Sequence, residues 1–213
     1  EIFKVHDELC DEKGYLHKLI ESLNMQEGML YNLGDTENSL RLFKKVEELC
    51  TKVENNEGLH KLLLNHADEF LRIGILDRAL ALFERTERLA STSGDENNWI
   101  ISLKGKSEVY YRSNEFEKSL KTDSELEIFF VQKRDDFGLQ KSLGNKAENY
   151  FALNRADDAL TQLKRQEIIL RNHSDDENLI RNLYDQADAY KQMGDIAHAQ
   201  QYRRNPREID ESQ

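Results

Sequence analysis

Six histidines and two cysteines are the residues of this chain best suited to hold a metal or act as a nucleophile, and their spacing argues against both roles. No HExxH occurs and no two histidines stand four apart; His60 and His66, six apart, point to different sides of a helix. Cys10 and Cys50 fall at the same phase of successive helices. Packed helix axes lie about 9 Å apart or more, whereas a disulfide needs Cα atoms nearer ~6 Å, so free thiols are expected. The acidic runs Asp135–Asp136 and Asp175–Asp176–Glu177 have the composition of acid–base pairs, but they recur where helices begin and read as caps that answer the helix dipole. Glu47, Glu87, Glu127 and Glu167 recur once every forty residues. An active site is built once, so a repeated carboxylate implies bonding between neighbouring units. The glycines are isolated and read as helix stops, with neither GxGxxG nor GxxxxGKS to cradle a phosphate. The expectation is a chain that is not an enzyme, with no catalytic residue, no metal site and no cofactor.

The elements that carry these residues are helices. Charged residues make up 33% of the 213-residue chain, with one proline and ten glycines, which suits long helices with solvated faces and gives an all-α class. Forty-one acidic against thirty basic residues leave a formal charge of −11. Such a surface repels a phosphate backbone instead of releasing its counter-ions, so nucleic acid is excluded as a partner. No stretch approaches the ~20 consecutive apolar residues of a membrane span, and the first residues are too polar for a signal peptide. A cytoplasmic protein without membrane contact is expected.

Leucine recurs at Leu23, Leu63, Leu103, Leu143 and Leu183, an unbroken spacing of forty, as in a stacked repeat array. Four residues after each comes a mostly small residue, Glu27, Ala67, Ser107, Ala147 and Ala187. Seven after comes a large one, Leu30, Phe70, Tyr110, Tyr150 and Tyr190. Eleven after stands Gly34, Gly74, Asn114, Asn154 or Gly194, types that tolerate the left-handed conformation closing a helix. Sixteen after, Ser39, Ala79, Ser119, Ala159 and Ala199 are all small.

Each unit therefore reads as two helices. The first opens behind Asn55, Asp95, Asp135 or Asp175, and the second, in the best-defined unit, covers about Asp77 to Leu89. Residues Ile2–Cys10 align with Leu42–Cys50 at the same offset. Residues 1–13 are then the second helix of an incomplete preceding repeat, either cut from a longer array, the favoured reading, or a lone end piece. Repeats 1 to 4 occupy 14–54, 55–94, 95–134 and 135–174. A fifth repeat or C-terminal cap spans 175–204, and Pro206 falls in a short tail, 205–213.

The order small, large, stop, small, large, as in Ala147, Tyr150, Asn154, Ala159 and Leu163, resembles the tetratricopeptide repeat over nearly the whole chain. HEAT and armadillo repeats have similar lengths but not this order. Glu27 where a small residue belongs, and Asp123 where other units have Phe or Leu, depart from the pattern. Forty-residue versions resemble those of kinesin light chain and of bacterial receptors for signalling peptides. The resemblance implies a right-handed superhelical solenoid of antiparallel helix pairs, with first helices lining a concave groove. In chaperone-binding members a two-carboxylate clamp uses five groove positions. Lys104, Asn145 and Arg181 match its types, while Glu108 and Asp185 place acids where it has an amide and a cation.

The residue after each large one, Tyr31, Leu71, Tyr111, Phe151 and Lys191, is expected either to border the groove or to pack on the neighbouring unit. The function that follows is a scaffold binding a protein or peptide segment in the groove at Tyr31, Leu71, Lys104, Tyr111, Asn145, Phe151, Arg181 and Lys191. The alternative is a sensor or regulatory arm of a larger signalling protein or enzyme, with other domains of the same protein as partners.

Overall fold

A computed structural model describes residues 2–52 and 55–204. The side chain of Cys10 and the whole of residues 205–213, Pro206 included, lie outside the described set. The described residues form α1 (Ile2–Asn32), α2 (Thr36–Lys52), α3 (Asn56–Arg72), α4 (Leu76–Ser93), α5 (Glu96–Arg112), α6 (Phe116–Lys133), α7 (Asp136–Ala152), α8 (Ala156–Asn172), α9 (Asp176–Gln192) and α10 (Ile196–Arg204), with no strand among them. The fold class is all-α, of stacked antiparallel helix pairs. None of these helices is long and apolar enough to cross a membrane.

Two compact units divide the chain, one ending at Ser102 and the other beginning at Leu103, within α5. In the first, α1 packs on α2 and α3, and α3 on α4. Its core joins Ile20, Leu23, Val46, Cys50, Leu59, Leu62 and Leu63. Each fully buried leucine contributes about 2 kcal/mol of transfer free energy. In the second, α6, α7, α8, α9 and α10 each pack on the next.

Local chemistry explains where the helices begin and end. The side chains of Asn55, Asp135 and Asp175 accept hydrogen bonds from the backbone N–H of Gly58, Gly138 and Asn178, and Asp95 does the same for Asn98 at 3.1 Å. These bonds satisfy donors that a helix start leaves open. Gly34, Gly74, Asn114, Asn154 and Gly194 all adopt positive φ, between 57° and 83°. Arg134 and Ser174 also do so, at 56° and 52°, the place that Gly94 fills one repeat before the first and two before the second. No sequence signal marks those two residues.

The sixteenth-position residues Ser39, Ala79, Ser119, Ala159 and Ala199 are buried, as are all five leucines. This is the close helix–helix contact that small residues permit.

Three expectations are corrected. α1 runs through residues 13 and 14 without a break, so 1–13 is not a separate helix. The capping position there is Tyr15, which has no side-chain acceptor for the N–H groups of a new helix start and stays inside α1. The glycines are not all stops, since Gly58, Gly138 and Gly144 lie within α3 and α7. A third expectation, that the large residue of each first helix turns with the leucine into the core, holds only in part: Phe70, Tyr110, Tyr150 and Tyr190 are half-buried.

Candidate functional site

In the second unit the first helices α5, α7 and α9, with Leu163 and Gln166 of α8, enclose a groove of about 640 Å³. Four of the expected residues come together in its lining: Lys104, Asn145, Phe151 and Arg181. Phe151 reaches it from a small core of Ala147, Ala159 and Leu163. Tyr111 and Lys191 stand outside the lining; Tyr111 packs edge-on against Phe116, centroids 5.5 Å apart, at the turn of its own repeat.

An amide ladder forms the floor. Gln166 Nε2 donates to the Gln140 backbone oxygen at 2.9 Å. Asn182 Nδ2 donates to the Leu163 carbonyl and to Gln166 Oε1, both at 2.8 Å. Gln186 Nε2 continues the ladder to Asn182 Oδ1 and Glu167 Oε2, at 2.7 Å each. Gly144 leaves the room for this, because a Cβ there would sit 3.0 Å from Gln166 Nε2. Polar groups tied down in this way hold the groove to one shape.

The charges around the floor are less well matched. The Lys104 ammonium lies over the Phe130 ring at 5.4 Å, and that ring is seated on the bare backbone of Gly138, where a Cβ would come within 2.3 Å of it. Burial, and next the ammonium of Lys141, pull the Lys104 pKa below its ordinary range. Lys141 caps Phe137 at 4.0 Å. Burial raises the Glu148 carboxyl, with Glu108 adding to it. Asp185 is pushed up to about 6 by burial, then by Glu148 and Asp188. Lys104, Lys141, Glu148, Arg181 and Asp185 form no ion pair with any described residue. Glu108 pairs with Arg112 at 2.5 Å, and Asp188 pairs with Arg203.

Behind the groove lies the departure at Asp123. It is fully buried, accepting from Ser107 Oγ at 2.8 Å and from Asn149 Nδ2 at 3.1 Å. Burial raises its pKa to about 6, against the lowering effect of Ser107, Asn145 and the Lys146 ammonium.

In the first unit Tyr31 lines a smaller pocket of about 310 Å³ with Asn24, Glu27, His66 and Arg72. It meets Phe70 of the next repeat edge-on at 6.1 Å, and both rings also line a second pocket of about 690 Å³ with Leu40, Ile73 and Arg78. Leu71 is half-buried on α3. Glu27 is buried, takes a hydrogen bond from Ser39 Oγ, and lies 2.6 Å from His66 Nε2. His66 is therefore partnered by a carboxylate, and no group of three or more His, Cys, Asp or Glu among the described residues could hold a metal ion.

Three of the recurring glutamates bond across repeats. Glu47 pairs with Arg85, Glu127 with Lys146 and Arg165 at 2.6 Å each, and Glu167 accepts from Gln186.

No protein-family model matches the chain, and no curated protein does. Solved structures do match. BtubC (BKLC) from P. vanneervenii superposes with a TM-score of 0.72 at 16% identity, over 88% of this chain and 78% of that one. The putative kinesin light chain with nearly identical TPR-like repeats from Podosopora anserina gives 0.65 at 14% identity, over 86% and 90%. The fold is tetratricopeptide-like. A third structure, a signal transduction ATPase with numerous domains and a tetratricopeptide repeat sensor from Pyrococcus horikoshii, gives 0.65 at 14%, over 95% of this chain but 32% of that one.

Within this tetratricopeptide-like fold the groove joins residues that the repeat pattern does not single out. Phe137, Gln140, Gly144 and Asn182 vary between units, so periodicity carries no signal for them, whereas Glu148 recurs as an acid at Asp68, Glu108 and Asp188 and Lys141 as a cation at Lys61 and Arg181. Position alone, on the same faces of α5, α7 and α9 as Lys104, Asn145 and Arg181, could have found them.

Proposed function

We propose that this chain is a protein-interaction scaffold that holds a peptide segment of a partner along the groove of its second unit. The observation that supports this most is the convergence of Lys104, Asn145, Phe151 and Arg181 on one groove whose acids and bases form no ion pair with any described residue. Charges held near a rigid amide floor, outside any close pair, suit a ligand that supplies closer counter-charges. Phe151 offers the apolar contact that anchors such a segment.

The test is a photo-crosslinking residue placed at Asn145 and, separately, at the exposed Ile128 and Ile168 on the second helices. Capture of a partner peptide from native cytoplasm at Asn145, and not at the other two, is the expected result. Capture only at Ile128 or Ile168 would move the binding surface away from the groove.

A second reading, the sensor or regulatory arm of a larger protein, is favoured by the match to a repeat sensor that occupies part of a much longer chain. A nucleotide-binding or other catalytic domain in the same open reading frame would select it.

A further inference from the structure

Each first helix of the second unit presents a cation and, one or two turns later, an acid: Lys104 and Glu108 on α5, Lys141 and Glu148 on α7, Arg181 and Asp185 on α9. One turn advances about 5.4 Å along a helix. The first helices run in the same direction, so the cations fall in a row nearer their N-termini and the acids in a parallel row beyond. Mutual influence supports both rows. Lys104 senses Lys141 and, in the opposite direction, Asp135; Glu148 senses Glu108, and Asp185 senses Glu148 and Asp188, with Arg181 acting in the opposite direction on both acids. Rows of like charge are unfavourable on their own, and Glu148, Asp185, Lys104, Lys141 and Arg181 form no ion pair with any described residue, although Arg181 is near enough to draw on both Glu148 and Asp185.

Resting on the groove reading above, we infer that the occupant is an extended peptide segment in which acidic and basic side chains alternate. Successive side chains of an extended strand point to opposite sides. A segment lying between the two rows therefore sends every second residue to the cations and the intervening ones to the acids. A segment of one charge sign would meet a like-charged row along its length, and a block of acids followed by a block of bases would satisfy only half of each row. Charge complementarity of this kind sets specificity and register more than bulk affinity.

Synthetic peptides of about twelve residues, spanning roughly 40 Å when extended, test the inference by fluorescence anisotropy on the full chain. One alternates Glu and Lys, one has the same composition in two blocks, and one is all Glu. The alternating peptide should bind about tenfold more tightly than its block isomer at low salt, the gap narrowing as salt screens the rows. Glu148→Lys with Asp185→Lys, checked for intact helicity by circular dichroism, should abolish that preference and tighten binding of the all-Glu peptide. Equal or tighter binding of the block isomer, or a preference untouched by the double charge reversal, overturns the inference. If crosslinking at Asn145 still captures a partner in that case, the groove reading survives and only the alternation falls. If Asn145 captures nothing, both fall.

Discussion

The two units each bury a carboxylate where the repeat calls for something else, and they neutralise it by different means. In the first unit Glu27 replaces a small residue and meets His66 at 2.6 Å and the Ser39 hydroxyl. In the second, Asp123 stands where other units have an apolar residue and meets a hydroxyl and an amide. Burial dominates at Asp123, whose pKa rises to about 6 against the lowering effect of Ser107, Asn145 and the Lys146 ammonium. A repeat array thus tolerates a buried acid wherever neighbouring helices supply donors.

Four measurements would break or sharpen this contrast, each by chemical unfolding followed by circular dichroism. The largest effect is expected for Glu27→Leu, which leaves Ser39 buried without its acceptor and His66 buried without the carboxylate that faces it. It should cost about 3 kcal/mol, and a change near zero would mean that Glu27 and His66 do not act as a pair.

Asp123→Asn should act in the opposite direction. Between the carboxyl's ordinary 3.8 and its folded value of about 6, the folded chain binds more proton than the unfolded one. Stability from this group therefore falls as pH rises through that window, and at pH 7 the folded state bears the full cost of the buried charge. The amide should stabilise the protein by about 2 kcal/mol at pH 7 and remove that slope between pH 4 and 6. A variant with an unchanged pH profile would show that Asp123 does not titrate there.

The glycines at one register give the third comparison. A Cβ at Gly138 would come within 2.3 Å of the Phe130 ring, whereas at Gly58 it would come within 2.6 Å of only the Asn55 side-chain amide, the end of a movable group. Gly138→Ala should cost about 1 kcal/mol and displace the ring under Lys104, while Gly58→Ala should be close to neutral. Equal effects would place the strain elsewhere.

The smallest difference is expected between Arg85→Ala and Arg165→Ala. Glu47 has Arg85 as its ion-pair partner, whereas Glu127 keeps Lys146 after Arg165 is lost. Losses of roughly 1 and 0.5 kcal/mol should result, and the reverse order would contradict the redundancy at Glu127.

The helix termini were legible in the sequence because their causes are local. Asn55, Asp135 and Asp175 cap helices whose donors lie three residues away, and the stops at Gly34 or Asn154 depend on a single φ. Where the local signal is missing the reading fails, as at Tyr15, where the expected break gives way to continuous helix. Of the candidate groove, the face was readable and the membership was not. Lys104, Asn145, Phe151 and Arg181 share one groove, whereas Tyr111 turns back onto Phe116 and Tyr31 onto Phe70.

The period of forty, the caps, the left-handed stops and the buried small positions were determined by the sequence itself, since backbone hydrogen bonding and steric size act within a few residues. Beyond the recurring glutamates, which charges find which partners was decided by the tertiary structure. His66 reaches Glu27 and Asn149 reaches Asp123 across 39 and 26 residues of chain, and Glu148 and Asp185 form no ion pair with any described residue, only feeling Arg181 from a distance. Pairing of that kind depends on the packing of helices far apart in the chain, and no spacing rule along the sequence contains it.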